Sequence, residues 1–172
     1  MTETGSESRM RRGTNSPTDA AVKDAAAHRT SSMYTQPDGE WGKSLGTLSA
    51  ETGCTLVGVT RMMYPHDGLG DEYYAKVVEG LDAQAQQDED LAKLLEDGVD
   101  DLHGNSWGDM DEGERLDALV GIEHTPFFQT VRNEVVTGLY GNPDVWGYFG
   151  YEGPSIAKGG YKDRGFNDID WL

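Results

Sequence analysis

Between Ser49 and Leu139 the large apolar residues return every three or four positions and nowhere every two, which restricts this stretch to helices packed on one another. Ser49 reads as an N-cap, after which Leu56, Val57, Thr60, Met63 and Tyr64 share one helical face before Pro65 ends the run. Beyond the loop PHDGLGD, Tyr74, Val77, Val78, Leu81 and Ala85 mark a second helix, and Leu91, Leu94, Leu95, Val99 and Leu102 a third. Asp111 with Glu114 has the form of a capping box ahead of Leu116, Leu119 and Val120. Thr125 with Pro126 pairs an N-cap with proline at the first helical position, opening a helix that carries Phe127, Phe128, Val131, Val135 and Leu139. Five helices with short joins predict an all-α bundle, in which each of these apolar faces reads as core.

Three zones follow. Residues 1–40 are rich in Ser and Thr and hold too few large apolar groups to offset the entropy of ordering, so they read as a disordered leader. Within it, Ala20 to His28 has the composition of a transient helix, while Tyr34 and the turn signal Pro37-Asp38-Gly39 suggest that its end lies against the domain. Residues 41–140 are the helical domain, and residues 141–172 an extended tail of a different kind.

Composition removes several function classes. A net charge of -17 opposes any sequence-independent grip on a nucleic-acid backbone or an anionic membrane face. No stretch is long and apolar enough for a membrane span. Cys54 is the single cysteine, so an internal disulfide is ruled out, and its setting in GCTLVGV favours a buried, inert thiol over a bridge to a partner. Arg11-Arg12 resembles the start of a twin-arginine signal, but polar sequence stands where the apolar region belongs.

Chemistry-bearing motifs are sparse. Asp101, His103, Asn105, Trp107, Asp109 and Glu112 fall at calcium-loop spacing, yet Ser106 replaces the turn glycine and His103 is a poor calcium ligand. A helix-ending turn at Gly104-Asn105, followed by a polar loop and a cap, explains the same residues. His28, His66, His103 and His124 form no zinc-type pairing. Ser155 and Lys158 make an S-x-x-K spacing amid glycine and proline, outside the rigid helix start that such chemistry needs. Gly147, Gly150 and Gly153 do not form a dinucleotide fingerprint. Acidic pairs such as those in Asp88 to Asp90 read as solvated faces, so no catalytic residue, metal site or cofactor ligand is expected in this chain.

The tail breaks helical order with Gly141, Gly147, Gly150, Gly153, Gly159, Gly160 and Gly165, and with Pro143 and Pro154. It also carries Trp146, Tyr148, Phe149, Tyr151, Tyr161, Phe166 and Trp171, an apolar load that must be covered by something. Two coverings remain open: a partner, over which the tail lies as a belt, or the chain's own helices, each serving a different part of the tail if both hold. On the belt reading Trp146, Tyr148, Phe149, Tyr151, Pro154, Tyr161, Phe166 and Trp171 make the contact, with Arg164, Lys158 and Lys162 steering it or fixing register.

The segment from Phe127 to Leu172 resembles the C-terminal signature of the gluconate 2-dehydrogenase subunit 3 family. The shared features are a paired-Phe helix, a Gly-Tyr turn, Asn142-Pro143, Trp146 and the run Gly150-Tyr151-Glu152-Gly153-Pro154. The order of helices upstream, from about residue 45, is similar. The resemblance implies a non-catalytic small subunit of a sugar or polyol dehydrogenase, which assists folding, stability or export of a large FAD-carrying subunit. A cytochrome subunit is a further candidate member of such a complex. Relatives pair the twin arginine with an apolar stretch that is missing here, so a cytoplasmic complex is expected, with export on a partner's signal as the alternative. From another class comes a second reading: a free-standing helical protein that binds a small ligand such as a sugar, the aromatic tail closing its site.

Overall fold

The computed structural model of the chain describes residues 33–160, all within one unit of the chain that begins at Ser31. Expectations for the leader before residue 33, including the transient helix near Ala20, and for Tyr161, Lys162, Arg164, Phe166 and Trp171 lie outside the described residues. Among the described residues there are six α-helices and no strand. They are α1 (Ala50–Met63), α2 (Asp71–Ala85), α3 (Glu89–Gly104), α4 (Glu112–Gly121), α5 (Pro126–Tyr140) and the single turn α6 (Pro143–Trp146).

Five of the six starts are set by side chains that accept from otherwise unpaired backbone N–H groups. The Ser49 hydroxyl accepts from Thr52 N, and the Asp88 carboxylate from Asp90 N and Leu91 N. Asp111 and Glu114 close the capping box on each other's backbone, as their spacing predicts. Thr125 accepts from Phe128 N ahead of Pro126, and Asn142 from Asp144 N ahead of Pro143. Only α2 starts at a glycine, Gly70, without a side-chain cap; Asp71 and Glu72 instead place negative charge in its first turn.

The core is shared by α1, α2, α3 and α5, with the most extensive helix pairing between α2 and α5. Leu56, Val57 and Val59 of α1, Tyr74, Val78 and Leu81 of α2, Leu95 and Val99 of α3, and Val131, Val135 and Leu139 of α5 are all removed from solvent. Each such side chain contributes about 1.5–3 kcal/mol, which explains why the three-four period sets the fold. Gly98 lets α3 approach α5, because a Cβ there would lie 2.2 Å from the Phe127 ring. Phe127 therefore faces inward and its neighbour Phe128 faces a surface groove.

Residues 33–40, the end of the leader that Tyr34 and the Pro37-Asp38-Gly39 turn suggested would lie against the domain, form the bundle's first wall: Tyr34 meets Trp41 edge to face at 5.5 Å, and the buried Trp41 donates its indole N–H to Glu79 at 2.8 Å. The Asp82 carboxylate then fixes the approach to α1 by accepting from Gly46 N, Thr47 N and Leu48 N at 2.8–2.9 Å. The departure from expectation is α4. Its apolar residues were expected to be core, but only Leu119 is buried, while Leu116 is 51% and Val120 57% exposed. Its amphipathic period is present, and the bundle does not reach far enough to cover it.

Candidate partner-binding face

The face is built on the loop that follows α1. Pro65 denies the helix a further N–H, and the chain turns through His66 and Gly68 to Gly70. Buried contacts hold this loop in place. The Tyr74 hydroxyl donates to Tyr64 O at 2.7 Å and accepts from His66 N at 3.3 Å. Arg61 donates to Leu69 O at 2.9 Å, pairs with Asp71 at 2.8 Å in a largely covered setting, and lies 5.1 Å over the Tyr74 ring. With both of its ends tied down, the loop presents His66 as a fixed group.

His66 meets the end of α5 through its Nε2, which lies 2.9 Å from the Tyr140 hydroxyl. Burial, and then the nearby Arg61 guanidinium, hold the imidazole pKa below its ordinary value. Burial also pushes the Tyr140 and Tyr74 phenols up, so both stay protonated hydrogen-bond donors near neutral pH.

The tail docks onto this pair. Val145 of α6 is fully buried, and the Trp146 indole donates to Tyr140 O at 2.8 Å. The chain then turns through Gly150, whose φ of +71° is a left-handed conformation, so that Phe149 lies 5.0 Å from His66 and 5.3 Å from Tyr140. Tyr148 stands against Phe149 at 4.9 Å and over Gly68, where an added Cβ would meet its ring at 2.3 Å. Tyr151 packs edge to face on Trp146 at 5.2 Å. Tyr148 and Tyr151 nonetheless stay 48% exposed and Phe149 43%, and Ile156 beyond them is almost wholly exposed.

Of the residues named from sequence, Trp146, Tyr148, Phe149 and Tyr151 come together on one face. Pro154 is exposed and precedes the short 3-10 turn Ser155–Lys158. The start of the tail is covered by the chain's own helices, through Val145 and Trp146, while the three rings that follow are covered on one side only. Sequence reading missed His66, Tyr64 and Tyr140. The signal for them was weak: Tyr64 and His66 flank a proline after a helix, and Tyr140 continues the α5 face of Phe128, Arg132 and Val136 at four-residue steps.

That α5 stripe leads to a second apolar surface. A groove of about 150 Å³ is lined by Met62, Met63 and Tyr64 at the end of α1, by Leu116 and Val120 of α4 and by Phe128 and Arg132 of α5. Tyr64 joins it to the aromatic cluster, its ring meeting that of Tyr140 at 5.8 Å. Groove and cluster are thus parts of one continuous apolar face.

Elsewhere the spacings singled out in the sequence are taken up by helix ends. Asp101 and His103 lie within the last turn of α3 and Glu112 within the first turn of α4, so the calcium-type spacing is spent on helix ends. Asn105 caps α3, its side chain donating to Asp101 O at 2.7 Å, and Ser106 takes the left-handed turn at φ 65°. Among the described residues no group of three or more His, Cys, Asp or Glu side chains is placed to hold a metal ion, and no helix is long and apolar enough to cross a membrane. Thr55, His103 and Glu51 form a nucleophile-base-carboxylate chain, at 2.9 Å and 3.3 Å. Thr55 sits inside α1, however, where the backbone N–H groups belong to the helix ladder and none is left to form an oxyanion hole. Cys54 is buried, and burial followed by the charge of Asp38 raises its thiol pKa to about 11, which keeps it protonated and unreactive. Compared with family models, curated proteins and solved structures, the chain matches none.

Proposed function

We propose that this chain is the non-catalytic small subunit of an FAD-dependent sugar or polyol dehydrogenase, stabilising its large flavoprotein subunit. The observation that carries this reading is the row of half-covered rings, Tyr148, Phe149 and Tyr151, fixed on a rigid platform of His66, Tyr140 and Trp146. Rings fixed in advance lose little entropy when a partner covers their open faces, which is how interface anchors gain affinity. The resemblance of the Phe127–Leu172 segment to the subunit 3 family supplies the kind of partner. Binding only the native flavoprotein stabilises it by mass action, with no chemistry required of this chain.

Co-expression with the product of the neighbouring gene tests the proposal. A flavin-coloured complex that oxidises sugars with a dye acceptor is expected, together with no turnover by this chain alone. Replacing Tyr148 and Tyr151 by Ser should weaken co-purification, each lost anchor costing about 2 kcal/mol, and leave the circular dichroism of the helical domain unchanged. Sugar oxidation by the isolated chain, or undiminished co-purification of the variant, would refute the subunit reading.

A further inference from the structure

We propose that Tyr140 with His66 is a redox-active tyrosine site, which gives one electron to a strong one-electron oxidant and hands its phenol proton to the imidazole. This goes beyond the flavoprotein reading and does not depend on it. Removing an electron from a phenol makes its O–H strongly acidic, so the oxidation is easiest where a base already stands ready to take the proton. His66 Nε2 lies 2.9 Å from the Tyr140 hydroxyl oxygen. Burial and Arg61 hold the imidazole pKa low, so the ring is neutral at neutral pH and free to accept. The step uses the tautomer with its proton on Nδ1, in which Nε2 accepts from the phenol. The neighbouring Tyr74 phenol shows the contrast: its hydroxyl donates to the Tyr64 carbonyl and accepts from His66 N, and neither backbone group serves as a base.

The electron has a short path to the surface. Between ring centroids, Tyr140 lies 5.3 Å from Phe149, and Phe149 lies 4.9 Å from the exposed Tyr148. Phe149 is not itself oxidised; it fills the gap between the two phenols. An oxidant that takes an electron at Tyr148 leaves a vacancy that settles on Tyr140, the phenol with a base, where the partly covered ring is shielded from coupling to other radicals. In balance, the oxidant gains one electron, the Tyr140 O–H bond breaks and an N–H bond forms at His66 Nε2, leaving a neutral phenoxyl radical beside an imidazolium. An electron returned to Tyr140 takes the proton back. Arg61, whose charge opposes the imidazolium, is itself paired with Asp71 at 2.8 Å. The chain's net charge of -17 draws cationic oxidants to it.

The test is flash photolysis of the full chain with tris-bipyridyl ruthenium(II) and a cobalt(III) ammine quencher, which together generate the ruthenium(III) oxidant in place. A long-lived tyrosyl radical is expected by electron paramagnetic resonance, forming more slowly in heavy water than in light. Tyr140→Phe keeps the ring and its packing and should remove the long-lived radical, leaving only short-lived ones on exposed phenols. His66→Gln keeps a hydrogen-bonding side chain but no base, and should slow radical formation by about tenfold or more. Circular dichroism of both variants checks that the helices are intact, and the Tyr140→Phe result decides the question even if the tail of the His66 variant comes loose. A radical of unchanged lifetime in Tyr140→Phe would overturn the proposal. So would an unchanged rate in His66→Gln, or the absence of a long-lived radical in the unmodified chain.

Discussion

Gly58 and Gly98 both lie inside α-helices, and replacing either by alanine should have opposite effects on stability. In an otherwise unconstrained helix interior, Gly to Ala stabilises by about 1 kcal/mol, through backbone entropy. An added Cβ at Gly58 has no atom within 4 Å, so Gly58→Ala should show that gain nearly in full. At Gly98 the new carbon would lie 2.2 Å from Cδ2 and 2.4 Å from Cγ of Phe127, where ordinary contact begins at 3.4 Å. The ring is 5% exposed and sits in the core, so a retreat of about 1.2 Å displaces its neighbours too. Overpacking of this kind costs about 1–3 kcal/mol, which cancels or exceeds the helix gain. Gly98→Ala should therefore melt below Gly58→Ala by about 4–12 °C, taking roughly 4 °C per kcal/mol for a domain of this size. Thermal and urea unfolding followed by circular dichroism measure both, and the double variant with Phe127→Ala gives the coupling: with the ring gone, alanine at 98 should become stabilising. If Gly98→Ala proves as stable as Gly58→Ala, the α3–α5 approach is not what places Phe127 in the core and Phe128 on the groove.

Three further outcomes are expected. At Asp82 burial raises the carboxyl pKa, but the N–H bonds from Leu48, Gly46 and Thr47 outweigh it and leave the pKa lowered; its stability contribution is present above the unfolded value near 3.9 and lost as pH falls through the folded one. Asp82→Asn should cost about 2 kcal/mol in urea unfolding at pH 7 and flatten the acid limb of the stability profile, and an unchanged midpoint would contradict this. His66 has its pKa lowered by burial and by Arg61, so the docked tail is stabilised above the unfolded pKa near 6.5 and loosened as pH drops through the folded value. Tryptophan fluorescence between pH 7.5 and 5 should report the release of Trp146, and the transition should vanish in His66→Gln; persistence in that variant would place the switch elsewhere. A disulfide-exchange reagent at pH 8 should label Cys54 only at the rate of unfolding, given a thiol pKa of about 11 and a buried sulfur; labelling at the rate of a free thiol would show the site to be open.

The helices were legible because their information is local. Ser49, Asp111 with Glu114, and Thr125 with Pro126 carry the cap chemistry within four residues of the N–H groups they satisfy, and the spacing of Tyr74, Val77, Val78 and Leu81 names a face without reference to its partner. Local pattern also singled out Trp146, Tyr148, Phe149 and Tyr151 as residues in need of a cover. It could not say which part of that cover the chain itself provides, because His66 and Tyr140 stand 74 positions apart and meet only when α1 and α5 pack. Nor could it distinguish Leu119 from Leu116 and Val120: all three lie on one amphipathic face, and only the packing of α4 on the rest of the bundle decides which is buried and which stays exposed. The sequence by itself determined where helices start, where they stop and which sides are apolar, since those depend on neighbours along the chain. Tertiary structure alone decided which apolar sides remain uncovered, since burial depends on which segments meet in space.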